Sequence, residues 1–121
     1  MSTTNALMIE WGIPRQGRET KALEEFMTHV AWWTELKQSG KIAEFRTFGH
    51  LTGNVDERAG FVLIEGSEKQ IHDLQTSEDF RSRLNRVIII AENVHITELE
   101  TNDAMTARMQ RYGKSLKDVG V

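Results

Sequence analysis

The chain of 121 residues has no cysteine and one proline. Without thiols there can be no disulfide, no thiolate metal ligand and no cysteine nucleophile, which fits a reducing compartment; a cytoplasmic protein is expected. An excess of positive charge is also lacking. Lys and Arg total 15 against 18 Asp and Glu, a formal net charge of −3, so no broad basic field points to nucleic acid. Arg81, Arg83 and Arg86 cluster, but acidic residues flank them, and they read as a solvated helix face. Long apolar runs are missing too. The longest, VIIIA at 87–91, falls far short of the roughly 20 residues that cross a bilayer. The opening MSTTNALMIEW lacks the basic region and apolar stretch of a signal peptide. Neither a membrane nor a nucleic acid is an expected partner. HExxH, histidine pairs at metal-ligand spacing, GxGxxG, a phosphate loop and a nucleophile elbow are all absent, so no metal and no cofactor are expected.

What remains is a patterned chain, 39% hydrophobic and 27% charged, ordinary values for one folded domain spanning residues 1–121. ALMIEWGI at 6–13 alternates with period two, placing Leu7, Ile9, Trp11 and Ile13 on one face of a strand. Pro14 and Gly17 end it. A helix follows from about Arg18 to Ser39, with Ala22, Leu23, Phe26, Val30, Trp33 and Leu36 within one half of the wheel and Gly40 as its stop. IAEFRTFGH, 42–50, is the second strand, and FVLIEG, 61–66, the third, joined by the turn-rich TGNVDERAG. Ser67 with Gln70 forms a capping box opening a helix. Its stripe, Ile71 and Leu74, slips phase at Thr76-Ser77 and resumes at Phe80, Leu84, Val87, Ile88 and Ala91, which predicts two helical pieces meeting at a kink. VIII favours a strand by β-branching, yet continues the helical stripe, and is assigned to the helix. NVHITELE, 93–100, is the last strand. A final helix, 103–117, carries Met105, Met109, Tyr112 and Leu116.

The order βαββαβ plus a C-terminal helix is that of a ferredoxin-like α+β fold with its core at 6–100. One sheet face goes under the helices: Leu7, Ile9, Trp11, Phe45, Val62, Ile64, with Val94 and Ile96. The other carries Met8, Phe48, Phe61, Leu63 and Leu99 among its polar groups. Five large apolar side chains on a wet face forgo several kcal/mol at roughly 1.5–3 kcal/mol each. A cover is therefore expected, either the C-terminal helix or a second copy of the sheet. The SGKI turn after the first helix, and FVLIEGSEKQIHDLQTSEDF with its interrupted helix and Ser-Glu-Asp-Phe restart, are similar to the dimeric α+β barrel superfamily. The resemblance covers about residues 6–100. It implies a homodimer in which two sheets enclose a barrel, and a repertoire that includes cofactor-independent monooxygenases, haem-degrading enzymes, isomerases, dehydratase-like proteins and ligand-sensing domains. Fold alone does not choose among these. The haem-degrading set of asparagine, tryptophan and histidine is not carried over: Trp11 and His95 exist, but no asparagine falls on the right face of the first strand.

On the face away from the helices, His50 and His95 are the candidate catalytic groups, expected on neighbouring or near-neighbouring strands. Glu10, Arg46, Phe48 and Phe61 are the candidate ligand-binding residues, with Arg46 as charge partner of a small polar or anionic organic molecule. The same groups could instead be rim ion pairs of a non-catalytic interaction protein. His29 lies in the first helix's apolar arc and reads as a core or interface histidine. His72 and Asp73 are adjacent on a helix, point about 100° apart, and form no dyad. Trp32 projects among Lys21, Glu25 and Thr28; it reads either as a partly covered helix edge or as an exposed interface residue, with Met105, Met109, Tyr112 and Leu116 as counterparts.

Overall fold

In a computed structural model, which describes residues 3–120, the elements run β1 (Asn5–Trp11), α1 (Glu19–Gln38), β2 (Glu44–Gly49), β3 (Gly60–Gly66), α2 (Glu68–Thr76), α3 (Glu78–Ile90), β4 (His95–Glu100) and α4 (Asn102–Val119). The four strands form one antiparallel sheet in the order β2-β3-β1-β4. This is the expected ferredoxin-like order with its additional C-terminal helix.

Alternation fixes the two faces. In β3 the pattern of burial switches at every residue, with Val62 and Ile64 buried under the helices and Phe61, Leu63 and Glu65 half-buried on the other side. Leu7 and Ile9 pair with Ile64 and Val62 in the adjacent strand. With Trp32, Trp33, Leu36, Ile42, Ile71, Leu74 and Phe80 they make one core between sheet and helices. Burial of each large group of this kind stabilises the fold by about 1.5–3 kcal/mol.

The strands are shorter than the alternation suggested. β1 ends at Trp11 because the next amides leave the sheet: Gly12 N–H donates to the Glu92 carbonyl at 2.6 Å, and Ile13 N–H to that of Asp56 at 3.2 Å. β2 begins at Glu44, since Ile42 is drawn into the core at the end of α1. β4 begins at His95 and lies at an edge, where Ile96 stays exposed instead of buried. The interrupted helix is as expected. Ser67 and Gln70 complete the capping box of α2. Ser77 then ends α2 and accepts the Phe80 amide at 3.1 Å as N-cap of α3. The VIII run belongs to α3.

One expectation needs correcting, and one of the two alternatives for covering the sheet falls away. Trp32 is not exposed: it keeps only 7% of its surface, because α3 lies along the flank of α1 and the Arg83 guanidinium sits 4.5 Å from its ring centre. It cannot be the partner of α4 in this chain. The C-terminal helix is not folded over the open sheet face either, for none of its residues is buried. No described helix is long and apolar enough to cross a membrane.

Candidate functional site

Register places the sheet-face candidates in cross-strand rows. One row runs His95, Glu10, Phe61, Phe48; the next runs Thr97, Met8, Leu63, Arg46. His50 lies just past β2, its amide donating to the Ala59 carbonyl at 2.9 Å. β2 and β4 are opposite edges of the sheet, so His50 and His95 are not brought together, contrary to the expectation of near-neighbouring strands. Both are exposed. Arg46 is already engaged: Nη2 donates to Glu65 Oε1 at 2.8 Å, and the guanidinium lies 5.7 Å from the Phe48 ring centre. Phe48 stacks on Phe61 at 4.7 Å, and the His50 ring approaches Phe61 at 5.8 Å. Of the polar groups of this face, Arg46 and Glu65 answer one another.

The other face is different. Between α1, α3 and the covered side of the sheet is a cavity of about 500 Å³, within the usual range for a small-molecule site. Its walls are mostly apolar and include Ile9, Trp11, Phe26, Trp32, Phe80 and Leu84. Exposed Glu19 and Leu23 in the lining mark where it meets solvent. Trp11 packs edge-on to Phe26, ring centres 6.0 Å apart. Gly60 makes room there: a Cβ on it would stand 2.6 Å from the Phe48 carbonyl oxygen and 3.1 Å from the Trp11 ring.

Four residues of this lining each keep one buried side-chain polar atom without a protein partner: Glu25 Oε2, His29 Nε2, Trp33 Nε1 and Arg83 Nη1. Glu25, His29 and Trp33 follow one another at four-residue spacing, which sets them on one stripe of α1. Arg83 reaches in from α3. An unanswered buried polar group costs about 1–3 kcal/mol. These atoms have almost no accessible surface, so a ligand in the cavity meets them only when a side chain turns.

Their supports are specific. His29 keeps 5% of its surface, and its Nδ1 is 2.7 Å from the Glu25 backbone oxygen. A carbonyl only accepts, so Nδ1 carries the hydrogen and Nε2 presents a lone pair. Burial lowers the imidazole pKa from its ordinary value, more than the Glu25 carbonyl and carboxylate raise it; Arg83 and Arg86 add to the lowering. The ring is thus held neutral. The Glu25 carboxylate stands 3.7 Å from Nδ1, and Arg86 Nη2 binds its other oxygen at 2.9 Å. Arg83 is steadied by its Nε on Asp79 at 3.2 Å and by the Trp32 ring. The result is one acceptor on a neutral base, two N–H donors and a carboxylate oxygen buried in the wall of an apolar cavity.

None of the four was a candidate from sequence. His29 was read as a core histidine, which it is in burial and in bonding through Nδ1; that Nε2 stays unpaired emerges only when α3 packs beside α1. The Glu-x3-His-x3-Trp spacing was the available signal. Phe48 alone among the sequence candidates for ligand binding contributes to the lining. Met105, Met109 and Tyr112 are exposed along α4. Among the described residues, no three His, Asp or Glu side chains gather as metal ligands.

No family model matches the chain, and no curated protein does. Solved structures do match. A dimeric ferredoxin-like protein of unknown function from Jannaschia sp. CCS1 aligns with a TM-score of 0.62 at 10% identity, over 81% of this chain and 99% of its own. One of the same description from Thermobifida fusca YX aligns with a TM-score of 0.61 at 10% identity, over 84% and 94%. A dimeric protein of unknown function and ferredoxin-like fold from Bacteroides fragilis NCTC 9343 aligns with a TM-score of 0.51 at 11% identity, over 80% and 96%. At such identities the likeness concerns backbone and not chemistry. What this chain has in common with them is the ferredoxin-like fold.

Proposed function

We propose that the chain binds a small organic molecule in the cavity between α1, α3 and the sheet, and that the cavity is equipped to take a proton from it. The observation that carries this reading is that four residues lining an apolar, half-open cavity of about 500 Å³ each hold a buried polar atom without a protein partner. Their chemistry describes the ligand. An apolar, ring-sized body suits the aromatic walls, an acidic O–H suits the His29 lone pair, and an adjacent oxygen suits the Trp33 and Arg83 donors. Proton transfer would break the ligand O–H bond and leave its electron pair on oxygen, facing those donors. The proton would go to His29 Nε2; burial opposes the imidazolium so formed, and the nearby Glu25 carboxylate offsets part of that cost.

Such a step uses only the chain's own groups. It is the opening move of an isomerase, where the proton returns at another atom, and of a cofactor-independent monooxygenase, where the anion meets dioxygen. The ligand-binding role assigned from sequence to Arg46, and the proton-handling role of His50 and His95, pass in this reading to Arg83 and His29. We also propose a homodimer joined through the open sheet faces, where Met8, Phe61, Leu63 and Leu99 gather; the dimeric descriptions of the three structural relatives support it.

The test is native mass spectrometry of freshly purified protein, followed by titration with hydroxy-aromatic and enolic compounds while tryptophan emission is recorded. Trp11, Trp32 and Trp33 all line the cavity. Retained mass, or an emission change lost in His29→Leu, is the expected result. A response unaffected by His29→Leu but abolished by His95→Phe would move the site to the open face. A dimer without ligand response to any such compound would favour the non-catalytic interaction protein.

A further inference from the structure

α4 is an 18-residue helix with no buried residue. Only its root is tied down. The Thr101 amide donates to the Thr4 carbonyl at 2.8 Å, and Asn102 Nδ2 to that of Thr3 at 2.6 Å. Arg108 and Arg111 reach Glu100 at 3.4 and 3.8 Å. Beyond these contacts it shows an apolar stripe: Met105 is 41% exposed, Met109 49%, Tyr112 61% and Leu116 36%. A lone helix of this length is marginal in water, since most helical stability in proteins comes from packing an amphipathic face.

Three further observations say what packs there. The first is area. The chain exposes 8064 Å², whereas a compact monomer of 13.9 kDa would expose about 6,700 Å². The excess, about 1,400 Å², is more than the roughly 800 Å² that each partner of a standard interface buries. The second is charge. Residues 102–119 hold four basic and two acidic side chains, net +2, so the remainder, with eleven basic and sixteen acidic, is −5. A basic helix on an acidic body is drawn to a second such body. The third is Gly113, which lies inside the helix at the edge of the stripe beside Met109. Glycine weakens a helix interior relative to alanine, yet a Cβ at Gly113 would meet nothing of this chain within 4 Å. No neighbour in the chain asks for so small a residue, whereas a closely approaching backbone from outside would.

We propose that α4 is a clasp between two copies of this chain: its Met105, Met109, Tyr112 and Leu116 stripe lies against the body of the partner, reciprocally about a two-fold axis, with Gly113 at the closest approach. The clasp rests on the homodimer proposed above and adds to it, reaching beyond the paired sheet faces. α4 leaves directly from β4, the edge strand that contributes Leu99 to the open face, so the two contact regions are continuous. The relatives are matched over 94–99% of their own length but cover 81–84% of this chain, and α4 is the element that a βαββαβ fold does not require.

Sedimentation equilibrium of the full chain tests the clasp, comparing wild type with Met109→Glu, Gly113→Ala and, for the sheet contact, Leu63→Glu. The clasp requires Met109→Glu to weaken the dimer by roughly thirtyfold or more, as for a central interface residue. Gly113→Ala should raise helix content while weakening the dimer, a pairing of opposite signs that a merely internal role would not produce. The wild-type dimer should loosen with added salt. A dimer untouched by both α4 variants but broken by Leu63→Glu would overturn the clasp and leave the sheet-face dimer standing. A wild-type chain that stays monomeric at all concentrations would overturn both.

Discussion

The two faces of one sheet handle polar groups in opposite ways. On the open face Arg46 binds Glu65 and lies over Phe48, which stacks on Phe61. Under the helices, Glu25, His29, Trp33 and Arg83 each leave one atom unanswered in the wall of an apolar cavity. Charged residues on a strand advertise themselves in a sequence, but groups that have found one another have little left to offer a ligand. Groups held short of a partner beside an apolar cavity keep more of their capacity to bind.

This contrast can be broken in several ways. The largest effect belongs to a pair of neighbours on opposite faces. Ile64→Ala removes a fully buried side chain and should cost about 2–5 kcal/mol in urea unfolding at any protein concentration. Leu63→Ala should cost less at high dilution, and more as concentration rises and a second copy covers the face. Equal, concentration-independent costs would end the idea that the open face is an interface.

Next comes ligand binding. His29→Leu should weaken binding in the cavity by roughly tenfold or more, the loss of one good polar contact. Folding stability should stay within about 1 kcal/mol, because the unanswered Nε2 is removed along with the Nδ1–H bond. His95→Phe should leave affinity unchanged, as read by the same fluorescence titration.

A smaller effect follows from pH. Burial lowers the His29 pKa below its ordinary value near 6.5, so the unfolded chain binds a proton more readily than the folded one. Stability from this group is then intact above the unfolded value and declines as pH falls through it towards the lowered folded value. Unfolding midpoints of wild type and His29→Leu, measured from pH 7.5 downwards, should diverge below about 6.5, wild type losing more. Parallel curves would contradict the buried neutral imidazole. The smallest effect is Arg46→Ala, which breaks a half-exposed ion pair with Glu65. It should change stability by about 1 kcal/mol or less and ligand affinity not at all, as measured by urea unfolding and the titration.

Local patterns sufficed for most of the fold. Alternation in FVLIEG assigned both faces of β3, and Ser67, Gln70 and Ser77 marked where α2 and α3 begin. Facts that depend on two elements meeting lay outside such patterns. Trp32 falls among polar residues on the wheel of α1, yet α1 is contacted both from the sheet below and from α3 beside it, so its buried arc is wider than its apolar stripe. His29 was visible as a buried histidine, but the state of its second nitrogen depends on what Arg83 and its neighbours on α3 bring alongside. The strand ends failed for a related reason, since Gly12 and Ile13 continue the alternation of β1 while their amides are claimed by Glu92 and Asp56.

Ser77 has a mechanical side as well. It is the single residue between α2 and α3, and α3 is one wall of the cavity. Treated as a rod with a rise of 1.5 Å per residue, α3 places Arg83 about 9 Å from that pivot and Ile90 about 20 Å from it. A turn of about five degrees at Ser77 would therefore carry Ile90 through nearly 2 Å and Arg83 through less than 1 Å. Arg86, tied to Glu25 at 2.9 Å, resists even that. So does the far end, where the Arg15 amide donates to the Ile90 carbonyl at 2.7 Å and the Gly12 amide to that of Glu92 at 2.6 Å; the wall is pinned at both ends, and the cavity is built for ligands of one breadth rather than several.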